Sequence, residues 1–488
     1  MAKISKLKKL YISFFSLLFA CNLSAQHFVS KTLLHTFSKH ELDSTLDANG
    51  IPSAIAGTKW GVDAYKVIYN TVSFDSTATT ASGLMIVPKL PGCSFPIAMY
   101  AHGTVLSKEQ APSRLQGIEP YIGLVISSSG YVSILPDYLG LGDGPGLHPY
   151  QHKHSEATAI IDFIRATKEN LSSMNVTHNS QLFLTGYSQG GHAAMAAQEW
   201  IQNHLQGEMT VTASVPMSGA YDMSGTMADL MLLDSVYPEP AYLPYIVFGW
   251  NQIYHFFTNP SEILASPWDT VLPPLYDGTH DFGVVGQIAP SVPKTIFRPG
   301  QIDSFIIDPN YFFRVALREN DAYHFTPTAP TKMMYCKGDT RVPYLNALVA
   351  KAYFDSTGCV NCQEFDVDST LDHQPCAQYA VLYAKGFFET FAIHDSCEAM
   401  TLEEITGGWE VGYDFLGDNL VINATTSNYK GGSINILTAE GKLVSSFKTK
   451  PGNGKQSFSM ANLVAGLYIV QMEAAEKRFR VKKFVKVN

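Results

Sequence analysis

The sequence predicts an α/β fold with a mainly parallel central sheet and an inserted cap, followed by a small all-β, sandwich-like C-terminal domain. Three observations lead there. From Ala64 to about Cys397, short continuous apolar runs alternate with segments of helical period. Between Ser218 and Pro330 that alternation fails, in a stretch rich in proline and aromatic residues. After Cys397 the pattern becomes one of short alternating strands separated by glycine-containing turns. Strand–helix alternation is the signature of a mainly parallel sheet covered by helices. A segment as long as 218–330 without that pattern is too long for a plain loop and is read as a cap over one edge of the sheet. The 488 residues fit about two to three domains.

The strands follow in order. "AYKVIYNTVSF" from Ala64 and "ASGLMIVP" (Ala81–Pro88) read as an antiparallel pair. "FPIAMYAHG" (Phe95–Gly103), "GYVSILPD" (Gly130–Asp137), "SQLFLTG" (Ser180–Gly186), "VTASVPMSG" and "TKMMYCKGD" are apolar runs suited to strands buried on both faces. "HSEATAIIDFIRATKENL" carries apolar residues at helical spacing, with Ser155 placed to cap it. The domain reading is a catalytic region over 26–400 with the cap at about 218–330, a linker at 401–412, and a β-rich domain over 413–488.

The N-terminus reads as an export signal over residues 1–25. Lys3, Lys6, Lys8 and Lys9 precede the apolar "LYISFFSLLFA" (Leu10–Ala20), and small residues lead to cleavage after Ala25. A lipoprotein signal ending at Cys21 competes with it. No later apolar run is long enough for a membrane helix, so the mature chain is expected to be soluble and exported. Export makes disulfides the expected state of Cys93, Cys336, Cys359, Cys362, Cys376 and Cys397, in a pairing that sequence does not choose. Zinc at Cys359 and Cys362 lacks a second ligand pair. The net charge of −9, with no basic face, argues against nucleic acid as a partner.

Chemistry centres on Gly186-Tyr187-Ser188-Gln189-Gly190, a G-x-S-x-G pattern between a buried strand and an alanine-rich helix. A serine exposed on a sharp strand-to-helix turn requires nearly side-chain-free neighbours, which Gly186 and Gly190 supply. Gly191, Ala193 and Ala194 let the helix lie close to the sheet. A serine hydroxyl is a poor nucleophile without an adjacent base. In elbow hydrolases the acid and then the histidine follow the serine along the chain. Asp339 ends an apolar strand, and His373 lies in a loop before the next helix, so they are read as acid and base, with Ser188 as nucleophile. Asp222 is the rival acid. His280, His324 and His394 are less well placed as bases; His148, His152 and His154 read as a solvated loop, and Asp368 and Asp372 as loop or cap carboxylates. The oxyanion donors are assigned to the backbone of Gln189 and of Thr104 in "AHGT", with Val105 close behind and His102 orienting that loop.

The chain resembles the secreted lipases and esterases of the α/β-hydrolase superfamily, in particular their secretory-lipase-like branch. "ASGLMIVP", "AHGT", "LPDYLGLG" (Leu135–Gly142), "GYSQGGHAA" and "GDTRVPY" (Gly338–Tyr344) carry the resemblance. It implies an α/β-hydrolase fold and hydrolysis of carboxylic esters through an acyl-enzyme, with no metal or organic cofactor. The cap would shape the acyl pocket. From about Tyr413 onwards the chain resembles the C-terminal sorting domain of the type IX secretion system, through "INILTAEGKLV", "LVAGLYIVQM" and "KKFVKV". That implies the secretion machinery as a partner and a secreted or outer-membrane-surface location. A carbohydrate-binding or adhesive β-module is the alternative for this tail. For the whole, the alternatives are a serine peptidase of the same fold and an exported binding protein on an inactive hydrolase scaffold.

Overall fold

The computed structural model describes residues 26–90, 93–394, 409–414, 419–424, 432–438, 442–451, 454–464, 466–474 and 477–486. The export-signal segment 1–25, Cys397 and linker residues 401–408 lie outside the described residues. The chain divides into two compact units, one built on Phe95–Ile393 with the chain before Leu90, the other on His394–Asn488 with Leu90–Ser94.

The larger unit is organised by a nine-stranded sheet: β1 (Phe28–Phe37), β2 (Val62–Val72), β3 (Ala78–Pro88), β4 (Ser94–Ala101), β5 (Val132–Pro136), β6 (Thr177–Tyr187), β7 (Ala213–Met217), β8 (Thr331–Tyr335) and β9 (Cys362–Asp366). Their order is β1-β2-β3-β5-β4-β6-β7-β8-β9. Pairing is antiparallel from β1 to β3 and between β3 and β5, and parallel between β4 and β5 and from β6 to β9. The central strands are the apolar runs of the sequence: β5 and β7 are buried at every residue. The edge strands β1 and β9 were not foreseen. Each keeps much of its surface in solvent, so neither carries a continuous apolar run.

The long helix Lys153–Ser173 packs against the sheet, and its cap differs from expectation. Ser155 lies inside the first turn, and His152 is the N-cap, its Nδ1 accepting from Ser155 N at 3.3 Å. Burial lowers the His152 pKa to about 3, so the ring stays neutral and keeps the lone pair that capping needs.

Between the end of β7 and the start of β8 the chain is helical, including Tyr242–Tyr254, Phe282–Ile288, Pro299–Ile307 and Phe312–Glu319. This segment has its own apolar core around Met227, Ile246, Trp250, Phe313 and Leu317. Proline-rich turns break it into short helices, which is why no strand–helix period is visible there.

The smaller unit holds two antiparallel sheets. One is formed by β10 (Trp409–Asp414), β11 (Asn419–Ala424) and β14 (Gly454–Ser459). The other is formed by β12 (Gly432–Thr438), β13 (Leu443–Thr449), β15 (Gly466–Ala474) and β16 (Lys477–Lys486). Leu420, Ile434, Ile436, Met460, Tyr468 and Val470 make their shared core. β10 begins inside the segment read as a linker, so strand pairing starts a few residues before 413. Among the described residues no helix is long and apolar enough to cross a membrane.

The helix Lys153–Ser173 lies tight against the sheet at Gly83 of β3. A Cβ there would lie 2.5 Å from Phe163 Cε1 and 2.9 Å from the Leu135 carbonyl oxygen. Gly83→Ala is expected to lower the unfolding free energy by about 1–3 kcal/mol through overpacking. Urea denaturation should show an earlier midpoint with an unchanged slope.

Candidate active site

Ser188 occupies the turn between β6 and the helix Gln189–His204, with φ 60° and ψ −120°. A non-glycine residue at such φ costs on the order of 1–3 kcal/mol and persists only where its surroundings enforce it. Those surroundings are backbone. A Cβ on Gly186 would fall 2.3 Å from the Gly190 carbonyl oxygen, and one on Gly190 would fall 1.8 Å from that of Ala101. On Gly191 it would meet Met217 O at 2.4 Å, the same carbonyl that accepts from Ser188 N at 2.9 Å. Gln189 opens the helix, so its N–H has no intrahelical acceptor and faces the end where the helix dipole favours negative charge.

Asp339 follows β8. Its Oδ1 accepts from the backbone N–H groups of Arg341 and Val342, both at 2.9 Å, and its Oδ2 lies 2.6 Å from His373 Nδ1. Both side chains are buried, at 0% and 2% exposure. The pairing makes Nδ1 the donor, and the free lone pair of a neutral ring is then on Nε2. His373 is the first residue of the helix His373–Glu389 rather than part of the loop before it. Its carbonyl accepts from the Tyr187 hydroxyl at 2.6 Å, which ties it to the residue before Ser188. Asp372 accepts from Thr340 N and its hydroxyl, both at 2.9 Å, binding the same two segments together.

A disulfide between Cys336 and Cys376 joins the loop of Asp339 to the helix that His373 opens. The sequence held a signal for it: Cys336 stands three residues before Asp339, and Cys376 three after His373. Cys359 and Cys362 form a second disulfide, so their sulfurs are not a metal pair. Among the described residues no group of three or more His, Cys, Asp or Glu side chains is arranged to hold a metal ion.

The rival residues are occupied elsewhere. Asp222 caps a helical turn, with Oδ1 accepting from Gly225 N at 3.2 Å and Oδ2 from Thr226 N at 2.7 Å. His280 is held by Asp277, and the His324 ring packs at a tilt against Tyr323. His394 is exposed. The "HGT" loop borders the elbow: a Cβ on Gly103 would lie 4.0 Å from Ser188 Cβ. His102 is buried, with Nδ1 2.6 Å from the Gly103 carbonyl, and the Thr104 hydroxyl lies 3.0 Å from that of Tyr150.

His148 and His152 are not in a solvated loop. Both are buried, and burial lowers the His148 pKa, like that of His152, to about 3. Their segment turns inward because each ring finds polar partners there: His148 Nδ1 meets the Leu139 carbonyl at 2.8 Å, and its Nε2 meets the Gln189 side chain at 2.7 Å. His154 lies in the helix Lys153–Ser173 and packs at a tilt against Trp200.

Ser188 opens onto a cavity with about 920 Å³ of space, its mouth included. Met223, Met227, Ile246, Phe305 and Phe313 of the inserted segment line it.

Comparison with known proteins follows the same two units. The family described as secretory lipase matches residues 112–226, and the secretion system C-terminal sorting domain matches residues 417–487. A structure from Legionella pneumophila described as a hydrolase is 30% identical, covering 75% of this chain and 98% of that one, with a TM-score of 0.69. The rice cell wall degrading esterase LipA from Xanthomonas oryzae is 26% identical, covering 75% of this chain and 98% of that one, with a TM-score of 0.68. Candida antarctica lipase A, 15% identical over 71% of this chain and 77% of that one, shares the fold with a TM-score of 0.53. No curated protein sequence matches the chain.

Two outcomes follow from this geometry. Gly190→Ala must displace either the elbow or the Ala101 carbonyl, and is expected to abolish any Ser188-dependent activity while leaving a folded chain by circular dichroism. His148 and His152 bind protons more weakly folded, at about 3, than unfolded, near 6.5. Protonation therefore favours the unfolded chain as pH falls below 6.5, and stability should drop by about 1.4 kcal/mol per pH unit per histidine until pH nears 3. Urea midpoints across that range, with His148→Gln as control, should show a shallower pH slope in the variant.

Proposed function

This chain belongs to the secretory lipase family, and we propose that it hydrolyses carboxylic esters through a Ser188–His373–Asp339 triad and an acyl-enzyme. The observation that carries the proposal is the buried 2.6 Å pair of Asp339 and His373, with Asp339 following β8 at the same carboxyl-terminal ends of the parallel strands where Ser188 follows β6. With Nδ1 bonded to Asp339, His373 Nε2 is the atom that takes the Ser188 proton as Oγ attacks the ester carbonyl. The negative charge that develops on the carbonyl oxygen is received by the N–H groups of Gln189 and Thr104. His373 then returns the proton to the departing alcohol. A water molecule activated by the same imidazole releases the acid and restores Ser188.

The apolar walls around Ser188 support an ester with a hydrocarbon acyl group, since burying such a chain is favourable by roughly 0.8 kcal/mol per CH₂. For the smaller unit we propose delivery of the chain to the type IX secretion machinery, ending in release or display at the outer-membrane surface. The signal and sorting segments serve export, and neither contributes to the reaction.

The test is turnover of p-nitrophenyl acyl esters of graded length alongside peptide anilides, with a fluorophosphonate probe on Ser188. Ester turnover and labelling are expected, both absent in Ser188→Ala. Asp339→Asn should lower kcat by roughly a thousandfold to ten-thousandfold, whereas Asp222→Asn should leave it nearly unchanged. Peptide cleavage without ester cleavage would establish a peptidase instead, and no labelling at all would leave a binding protein.

A further inference from the structure

We infer that Glu156 and His192, two side chains that do not line the cavity, form a buried pair that positions the oxyanion donor Gln189. The inference rests on the reading of Ser188 as nucleophile and of the Gln189 N–H as a donor to the developing oxyanion.

The Gln189 side chain is fully buried. Its Nε2 lies 2.8 Å from Glu156 Oε1 and 2.7 Å from His148 Nε2, so both amide hydrogens are used. His148 can accept because its Nδ1 donates to the Leu139 carbonyl and its ring is neutral. Turning the carboxamide over would set its oxygen against the Glu156 carboxyl, so Glu156 dictates which way Gln189 faces.

The second Glu156 oxygen lies 2.7 Å from His192 Nδ1, and His192 Nε2 lies 2.8 Å from the Asn320 carbonyl oxygen. A carbonyl only accepts, so Nε2 carries a hydrogen, and one proton lies between Nδ1 and Oε2. Both side chains are 0% exposed. Asn320 in turn ends the last helix of the inserted segment, accepting from Lys153 N at 2.7 Å and donating to the Tyr254 hydroxyl at 2.8 Å. One chain of hydrogen bonds therefore runs from the foot of the cap, through the serine helix, to the residue whose N–H meets the oxyanion.

A buried polar pair is a poor source of stability compared with apolar packing of the same volume. What it supplies here is direction. Small displacements of a donor at the reacting atoms cost up to about a hundredfold in rate. Loss of the pair should therefore appear in kcat, not in KM.

The experiment compares ester hydrolysis and inhibition by a trifluoromethyl ketone, which forms an oxyanion on Ser188, in wild type, Glu156→Ala, Glu156→Gln, Gln189→Met and the double variant Glu156→Ala/Gln189→Met. Glu156→Ala and Gln189→Met should each lower kcat by roughly 10- to 100-fold and weaken the ketone in proportion, with KM nearly unchanged. The double variant should be no worse than either single one. Glu156→Gln should recover most of the activity, because its carboxamide can accept from Gln189 and donate to a neutral His192. If Glu156→Ala does not fold, Gln189→Met leaves the pair intact and carries the test alone. Wild-type kcat in folded Gln189→Met, additive losses in the double variant, or losses confined to KM would overturn the inference while leaving the hydrolase standing. A wild-type protein that neither turns over esters nor binds the ketone would remove both.

Discussion

The carbonyl oxygen of Ala101 sets the terms for the site. It stands at the end of β4, so close to β6 and the serine helix that only glycine fits at 186 and 190. Because backbone meets backbone there, the strand-to-helix turn is sharp and Ser188 is held at positive φ. The same approach carries the "HGT" loop, which continues from β4, to the side of the serine. Strain, the opening of Ser188 onto the cavity and the neighbourhood of the loop thus share one steric cause.

Asp339 and His373 are held by separate means. Asp339 is fixed by two backbone N–H groups and His373 by the first turn of its own helix, so each is positioned before it meets the other. In this dry environment their bond is stronger than it would be in water. The Gln189 side chain at the elbow rests on His148, whose neutral ring keeps its hydrogen-bond directions across the working pH range because burial prevents it from charging.

How much of this could be read from the sequence depended on how local each cause is. The apolar central strands and the G-x-S-x-G turn are dictated by neighbours in the chain, and the contact between Asp339 and His373 was anticipated from the order expected after such a turn. The edges β1 and β9 were missed because half-solvated strands carry a diluted pattern. His148 was misjudged because its polar surroundings, "DYLGLGDGPGLHPYQHKH", resemble a surface loop, while the partners that bury it, Leu139 and Gln189, are supplied only by the folded chain. Ser155 looked like a cap until the neutral ring of His152 took that place. Glu156 and His192 each sit unremarkably within a helix, and only packing of the two helices brings them together.

The Cys336–Cys376 disulfide closes a ring around an excursion that includes the helix Leu345–Ser356 and β9. Asp339 and His373 both lie just inside the closure, next to the sulfurs. Lengthening, shortening or redecorating the far end of that excursion is thereby insulated from the pair, because movements there are absorbed before they reach the bridged ends. The outer edge of the sheet can in this sense change in length or decoration while the bridged ends keep Asp339 and His373 paired.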